Sequence, residues 1–171
     1  MHLPAHSYLG QRTYFVTVCT HERHRVFVDL EAGRGIVARL RSIATEHGFS
    51  LHAFCVMPDH VHFLAEARAE GCDLLKLVDA FKQRTGYEYR RRHECALWQP
   101  RFYDHVLRRS DPIEGVALYI WMNPVRKNLC VDPRAYPLSG SETIEWMSKI
   151  ESGMEWMPPW HERVAAKTAP G

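Results

Sequence analysis

Three observations predict an α+β fold, an antiparallel sheet with helices on one face. Four segments concentrate β-branched and aromatic residues, as strands do. Two segments between them repeat apolar residues at a spacing of three and four. The segments follow one another in the order β-α-β-β-α-β, with a further helix behind.

The first strand is Thr13-Tyr14-Phe15-Val16-Thr17-Val18-Cys19. Residues 30–47 carry Leu30, Gly33, Ile36, Val37, Leu40, Ile43 and Ala44, an amphipathic helix that should end near Gly48. Ser50 to Met57 and His60 to Glu66 read as two strands. Only Pro58-Asp59 separates them, so they should form a tight hairpin. Asp73 to about Arg92 is a second helix with Leu74, Leu77, Val78 and Phe81 along one stripe. Its end, Arg90-Arg91-Arg92, places cations where the helix dipole favours them. Arg101 to Leu107 supplies the fourth strand. The third helix should begin at Asp111, with Pro112 and Glu114 completing a capping box. It runs through Val116, Ala117, Tyr119 and Ile120 to Asn123-Pro124, where Pro124 must end or kink it. The order is the ferredoxin-like split βαββαβ pattern, followed by a tyrosine-bearing helix. Residues 1–132 are expected to form one domain. Residues 133–171 form a C-terminal tail whose Trp146, Trp156 and Trp160 pack back on it, and His161–Gly171 is expected to be disordered.

The 171 residues, 46% apolar and 25% charged, suit one soluble globular domain. No apolar run approaches the ~20 residues of a membrane helix, and the first residues lack the apolar centre of a signal peptide. The five cysteines, Cys19, Cys55, Cys72, Cys95 and Cys130, form no C-x-x-C pair and read as reduced thiols of a cytoplasmic protein. A zinc site of Cys55 with two histidines lacks the usual ligand spacings.

Asp59-His60-Val61-His62 lies at the start of the third strand. Side chains alternate along a strand, so His60 and His62 share one side and Val61 enters the opposite layer. Two neutral imidazoles on one side can hold a divalent cation, given a third ligand. The structural alternative is a turn histidine followed by a hydrogen-bonded core histidine. Tyr119 and Asn123 lie four apart and share a helix face. Asn123 offers an amide oxygen to a hard cation. Tyr119 offers a phenol that can attack phosphorus once helped to ionise. Their alternative is core packing and a helix boundary. The two pairs form one site only if the third helix docks over the strand of His60 and His62. A cation would then polarise a scissile phosphate, and attack by Tyr119 would give a 5′-phosphotyrosine and a free 3′-OH.

The net charge of +2 says little, but its distribution says more. Between Lys82 and Arg109 there are eight Lys or Arg against Glu88, Glu94 and Asp104, the local excess a phosphate-tracking surface needs. Lys82, Arg84, Arg90, Arg91, Arg101 and Arg108 are its candidate DNA contacts. Trp98 and Phe102 are candidates for stacking on unpaired bases, with core packing as the alternative. His105 reads as a structural or DNA-contacting strand residue. Tyr103 is a rival nucleophile that lacks an amide four residues on.

The motifs M-P-D-H-V-H-F-L, L-W-Q-P-R-F-Y-D-H-V-L-R and Y-I-W-M-N-P-V-R-K-N-L, in this order and spacing, resemble the REP-associated tyrosine transposases. These are relatives of the insertion-sequence transposases that use a His-hydrophobe-His pair and a single tyrosine. The resemblance spans about Gly10 to Val131. It implies single-strand DNA cleavage at or near palindromic hairpin repeats, with Mg²⁺ or Mn²⁺ as cofactor. It implies His60 and His62 as metal ligands, Tyr119 as nucleophile and Asn123 as third ligand. It places Lys82, Gln83 and Arg84 on a DNA-binding helix, favours a monomer, and allows a C-terminal extension to cover the active site. His21 to Arg25 is a candidate for binding bases that flank the hairpin. Two other readings compete: a catalytically idle DNA- or RNA-binding module, and a metal hydrolase that uses water.

Overall fold

A computed structural model describes residues 8–151 and 154–161. Its sheet has the strand order β4-β1-β3-β2-β5, every neighbouring pair antiparallel. The strands are β1 (Thr13–Cys19), β2 (Phe49–Met57), β3 (His60–Ala67), β4 (Tyr103–Val106) and the two-residue β5 (Ser139–Gly140). The first four reproduce the predicted split βαββαβ order, and β5 extends the β2 edge. The helices are α1 (Leu30–Glu46), α2 (Leu74–His93), α3 (Ile113–Trp121), α4 (Asn123–Arg126) and α5 (Trp146–Lys149). Among the described residues no helix is long and apolar enough to cross a membrane.

The sheet has two buried faces, and alternation along its strands assigns each residue to one of them. Tyr14, Val16 and Val18 of β1 and Val61, Phe63 and Ala65 of β3 join the core made with α1 and α2. Phe15 of β1, Leu64 of β3, and Ala53, Cys55 and Met57 of β2 join a second core made with α3, Tyr103 and the C-terminal tryptophans. Helices α1 and α2 therefore share one face, as the sequence implies, while α3 and the tail cover the other. Gly48, with φ +78°, ends α1 in the left-handed conformation that favours glycine at this place.

One expectation needs correction. The capping box of α3 does not form: its N-cap is Pro112, with no side-chain cap. Asp111 turns back instead, accepting the Arg108 N–H at 2.8 Å and lying 3.4 Å from His105 Nε2, so its carboxylate closes the preceding loop. Of the two outcomes expected at Pro124, the structure has the kink: the proline sits in the first turn of α4, where no intrahelical N–H is required of it.

The tail to Trp160 is built into the second core. Trp121 stacks on Trp146 at 5.3 Å, and Gly115 leaves the space that Trp156 fills against α3. Trp160 is 2% exposed and stacks on His105 at 3.7 Å. The stretch expected to be disordered, His161–Gly171, lies outside the described residues except for His161 itself.

Candidate metal and nucleophile site

Strand β3 carries His60 and His62 on the face that α3 covers, and Val61 on the other. Both histidines are buried, at 6% and 2% exposure. Their Nε2 atoms lie 3.0 Å apart. Each ring is held by its other nitrogen: His60 Nδ1 is 2.6 Å from Asp59 Oδ1, and His62 Nδ1 is 2.8 Å from Thr17 Oγ1. Thr17 reaches His62 because the two are direct partners in the β1–β3 register. The carboxylate accepts a proton only from Nδ1–H, which fixes the His60 tautomer and leaves the Nε2 lone pair outward.

Burial pushes the His60 imidazole below its ordinary value, against the opposing bond to Asp59. It pushes His62 further down, with His60, Arg126, Arg23 and Lys127 adding positive charge. Both rings are therefore neutral near pH 7, the form that ligates cations. With no cation present His62 Nε2–H can donate to His60 Nε2 across this gap; with both lone pairs free, the same gap can take a cation. Nitrogens each about 2.1 Å from one cation stand roughly 3.0–3.4 Å apart at ordinary ligand angles. The donor set thus fits a metal, with the second partners that ligating histidines require. Cys55 is not among the donors: its buried thiol is pushed up to about 12 and directs its hydrogen to Met57 Sδ. Among the described residues no group of three or more His, Cys, Asp or Glu is placed to hold a metal, so a third protein ligand must be of another type.

The suppressed titration of the histidines has a consequence for stability. The unfolded imidazoles take up protons near pH 6.5, whereas the folded ones resist, so below about pH 6.5 the unfolded chain binds more protons. Stability should fall as the pH drops from about 6.5 toward the folded values, by up to about 1.4 kcal/mol per pH unit for each ring. Asp59, held low despite its burial by His60 and Arg23, stabilises above the ordinary carboxylate range and loses its effect only below it. Thermal melts without added metal from pH 7.5 to 5.5 should show the loss, and His62→Gln should flatten it. Equal slopes would contradict the burial argument.

Tyr119 of α3 reaches the same place. Its ring lies 6.5 Å from that of His62, and Phe15 sits beneath both, 5.5 Å from His62 and 6.0 Å from Tyr119. The docking of α3 over β3, on which a joint site depends, is therefore present. Burial raises the phenol above its ordinary value, and the Arg126 guanidinium opposes the rise. That guanidinium lies 4.4 Å from the ring centroid and donates to the Tyr119 carbonyl. Asn123 is 6% exposed; its Nδ2 donates to the Tyr119 and Ile120 carbonyls at 2.9 and 3.3 Å, which leaves Oδ1 as the atom available to a cation. The Tyr119 hydroxyl is 3.0 Å from His161 Nδ1, so the tail touches the candidate nucleophile directly.

The structure scatters the remaining sequence candidates. Tyr103 packs edge-on against Phe15 at 6.1 Å in the second core. Trp98 is 7% exposed, donates its indole N–H to Thr85 and packs on Phe27 and Phe81, so it is not a platform for bases here. Phe102 packs half-buried against the first core. His105 lies between Asp111 and Trp160. Arg101 and Arg108 are exposed. Lys82, Gln83, Arg84, Tyr87, Arg90 and Gln99 line a groove of about 730 Å³ between α2 and the segment before β4. Within it, Lys82 donates to the Pro100 carbonyl and Arg84 pairs with Glu46. Arg91 lies 5.9 Å over the ring of Tyr87, which is 65% exposed.

Asp59, Thr17, Phe15, Arg126 and His161 were not assigned to the site from sequence. Arg126 had a signal, since it stands seven residues after Tyr119 and so on the same helical face. Thr17 had none, because cross-strand register is not written in local sequence.

The family model described as transposase, IS200-like, matches residues 9–123. The chain belongs to that family. This transposase is 24% identical over 154 residues to the REP-associated tyrosine transposase of Escherichia coli (strain K12), across 84% of this chain and 89% of that one. It is 40% identical over 60 residues to the ISDra2 transposase TnpA of Deinococcus radiodurans, across 35% of this chain and 42% of that one. A solved REP-associated tyrosine transposase bound to a REP hairpin has a TM-score of 0.66 at 20% identity, covering 99% of this chain and 89% of that one. That likeness shows the fold. The resemblance carried by the three sequence motifs is borne out, and with it the enzyme class, a DNA-cleaving tyrosine transposase.

Proposed function

We propose that this transposase is a metal-dependent single-strand DNA endonuclease and strand transferase that cleaves at or near palindromic hairpin repeats through a 5′-phosphotyrosine at Tyr119. The observation that carries the reading is the convergence of two neutral, second-partner-locked Nε2 atoms beside Tyr119 on a shared Phe15 platform. His60, His62 and the Asn123 oxygen would hold Mg²⁺ or Mn²⁺, which would supply positive charge to stabilise the phosphate as it is attacked. Tyr119 attacks phosphorus as its proton passes to water, the P–O3′ bond breaks, and the 3′-oxygen leaves as a hydroxyl with a proton from water. Arg126, over the phenol face, holds the ring and favours the phenolate. A covalent protein–DNA link keeps the bond energy, so the strand can be rejoined without a nucleotide cofactor.

The groove of Lys82, Arg84 and Arg90 is the backbone-tracking surface in this reading, extended by Arg91, Arg101 and Arg108. A hairpin is the proposed partner because the related solved transposase is bound to a REP hairpin. Nucleophile and ligands stand on one chain, which suits a monomer, and the five free thiols suit the cytoplasm. The 154–161 segment must shift for a phosphate to reach Tyr119.

The test is incubation of the protein with Mn²⁺ or Mg²⁺ and single-stranded oligonucleotides that carry imperfect hairpins from the host's own repeats. A protein–DNA adduct on a denaturing gel is the expected result. Cleavage without an adduct would move the weight to a water-using hydrolase, and binding without cleavage to an idle binding module.

A further inference from the structure

The turn after β1 is built against conformational preference. Glu22 and Arg23 are consecutive, and both have left-handed backbone, with φ of 50° and 57°. L side chains rarely adopt this region, and neither residue is of the Gly, Asn or Asp type that tolerates it. Strain of this kind persists where the surroundings over-determine it, and it gathers at functional sites.

The surroundings here are the hairpin that launches β3. The Thr20 N–H and Thr20 Oγ1 each lie 2.9 Å from the Asp59 carbonyl, and the Phe27 N–H donates to the Pro58 carbonyl at 2.9 Å. The His21 N–H donates to the Leu97 carbonyl at 2.8 Å, which ties the other side down. Pinned in this way, the left-handed pair folds the Arg23 side chain back over the end of β1. Its Nη1 is 3.0 Å from Cys19 Sγ, and its Nε is 3.2 Å from Asp59 Oδ2. The other Asp59 oxygen, Oδ1, is the one 2.6 Å from His60 Nδ1. The Arg23 and Asp59 side chains keep only 14% and 23% of their surface in water.

We infer that Arg23 is a positioning residue for the histidine pair: through Asp59 it fixes the rotation and tautomer of the His60 ring, so that Nε2 points to where His62 Nε2 also points. The inference rests on the reading of His60 and His62 as cation ligands. Asp59 stands in a two-residue turn, and its carboxylate can rotate toward solvent or onto local amides. The guanidinium opposes that freedom by charge: its Nε lies 3.2 Å from Oδ2 as an ion pair, without a hydrogen bond of its own, while Oδ1 meets the imidazole. The strained turn has a purpose on this account, because it is the backbone from which the Arg23 side chain reaches Asp59. A arginine serving only DNA phosphate would gain nothing from a half-buried guanidinium committed to Cys19 and Asp59.

The full chain should be titrated with Mn²⁺ at one near-neutral pH, by calorimetry, for wild type, Arg23→Ala, Arg23→Lys and Asp59→Asn. Thermal melts and metal-free hairpin affinity are measured on the same samples. Loss of a group that orients a ligating histidine costs about 10–100-fold in metal affinity. Asp59→Asn is expected in that range, and Arg23→Ala about 10-fold weaker than wild type. Arg23→Lys should recover only part, since a single ammonium cannot replace the fork that meets Cys19 and Asp59 together. Nitrogen-detected NMR of the His60 ring should show Nδ1–H alone in wild type and mixed tautomers in both Arg23 variants. Unchanged Mn²⁺ affinity and an unchanged His60 tautomer in Arg23→Lys or Arg23→Ala would overturn the inference. So would a loss confined to metal-free hairpin affinity, which would make Arg23 a phosphate contact. If the wild type takes up no Mn²⁺, the ligand reading itself fails, a result distinct from equal binding by all four proteins.

Discussion

Tyr119→Phe is expected to abolish the covalent protein–DNA adduct and to lower cleavage by at least about 10⁴-fold, while the protein still folds and still binds its hairpin. Removal of an attacking atom is among the costliest changes an enzyme can suffer, on the order of 10⁶-fold where it has been measured for a hydroxyl nucleophile. The structural cost is small by comparison. The ring keeps its packing on Phe15 and beneath Arg126. The lost hydroxyl gives up one hydrogen bond, to His161, with a net worth of about 0.5–1.5 kcal/mol. Hairpin affinity should be unmoved, because the basic groove lies on α2 and not on α3. The measurement is a denaturing gel of end-labelled oligonucleotide with wild type and variant side by side, with a hairpin-binding assay on the same preparations. Three outcomes separate the mechanisms. Loss of adduct and cleavage together supports the tyrosine mechanism. Cleavage that survives the substitution points to water as the nucleophile. An adduct that survives it turns attention to another side chain, with Tyr103 the first to examine.

Much of this site is legible in the sequence, because it is written in two short periods. A spacing of two on a strand placed His60 and His62 together and sent Val61 to the other core, where it is found. A spacing of four on a helix placed Asn123 over the turn of Tyr119, and its Nδ2 bonds the Tyr119 carbonyl. The βαββαβ order told that a helix was free to dock on the second face of the sheet. What local sequence withheld was everything set by register and by long-range packing. Thr17 meets His62 only because β1 and β3 pair in one register out of several. Trp98, flanked by basic residues, reads equally well as a base platform or a core residue. Its burial against Phe27, Phe81 and Thr85 is decided by where α2 crosses the sheet. Asp111 had the chemistry of a cap, but the Arg108 amide claimed it first. The tail showed only scattered tryptophans, with no period to say that Trp160 would reach His105 and bring His161 to Tyr119.

The second large effect is expected from the metal. Chelation with EDTA should stop adduct formation and cleavage, by about 10³-fold or more, since a bound cation contributes several kcal/mol to a phosphate transition state and each 1.4 kcal/mol is tenfold in rate. Chelation leaves the chain itself intact, so a lost activity cannot be blamed on a misfolded variant. His62→Ala should have the same effect and should resist rescue by added Mn²⁺. It also exposes the cost of the design. With His62 gone, Thr17 Oγ1 loses its partner in a wholly buried place and Phe15 loses a stacked ring, which together should cost about 2–4 kcal/mol in stability. His60→Ala should lose activity equally and stability less, because Asp59 is partly in water and keeps Arg23 as its partner. The comparison is therefore informative in both directions. Equal loss of activity with unequal loss of stability is what two ligands of one cation require, one of them also a core residue. If His60→Ala keeps activity that EDTA removes from wild type, the cation is held elsewhere, and the 3.0 Å approach of the two Nε2 atoms is a feature of packing alone.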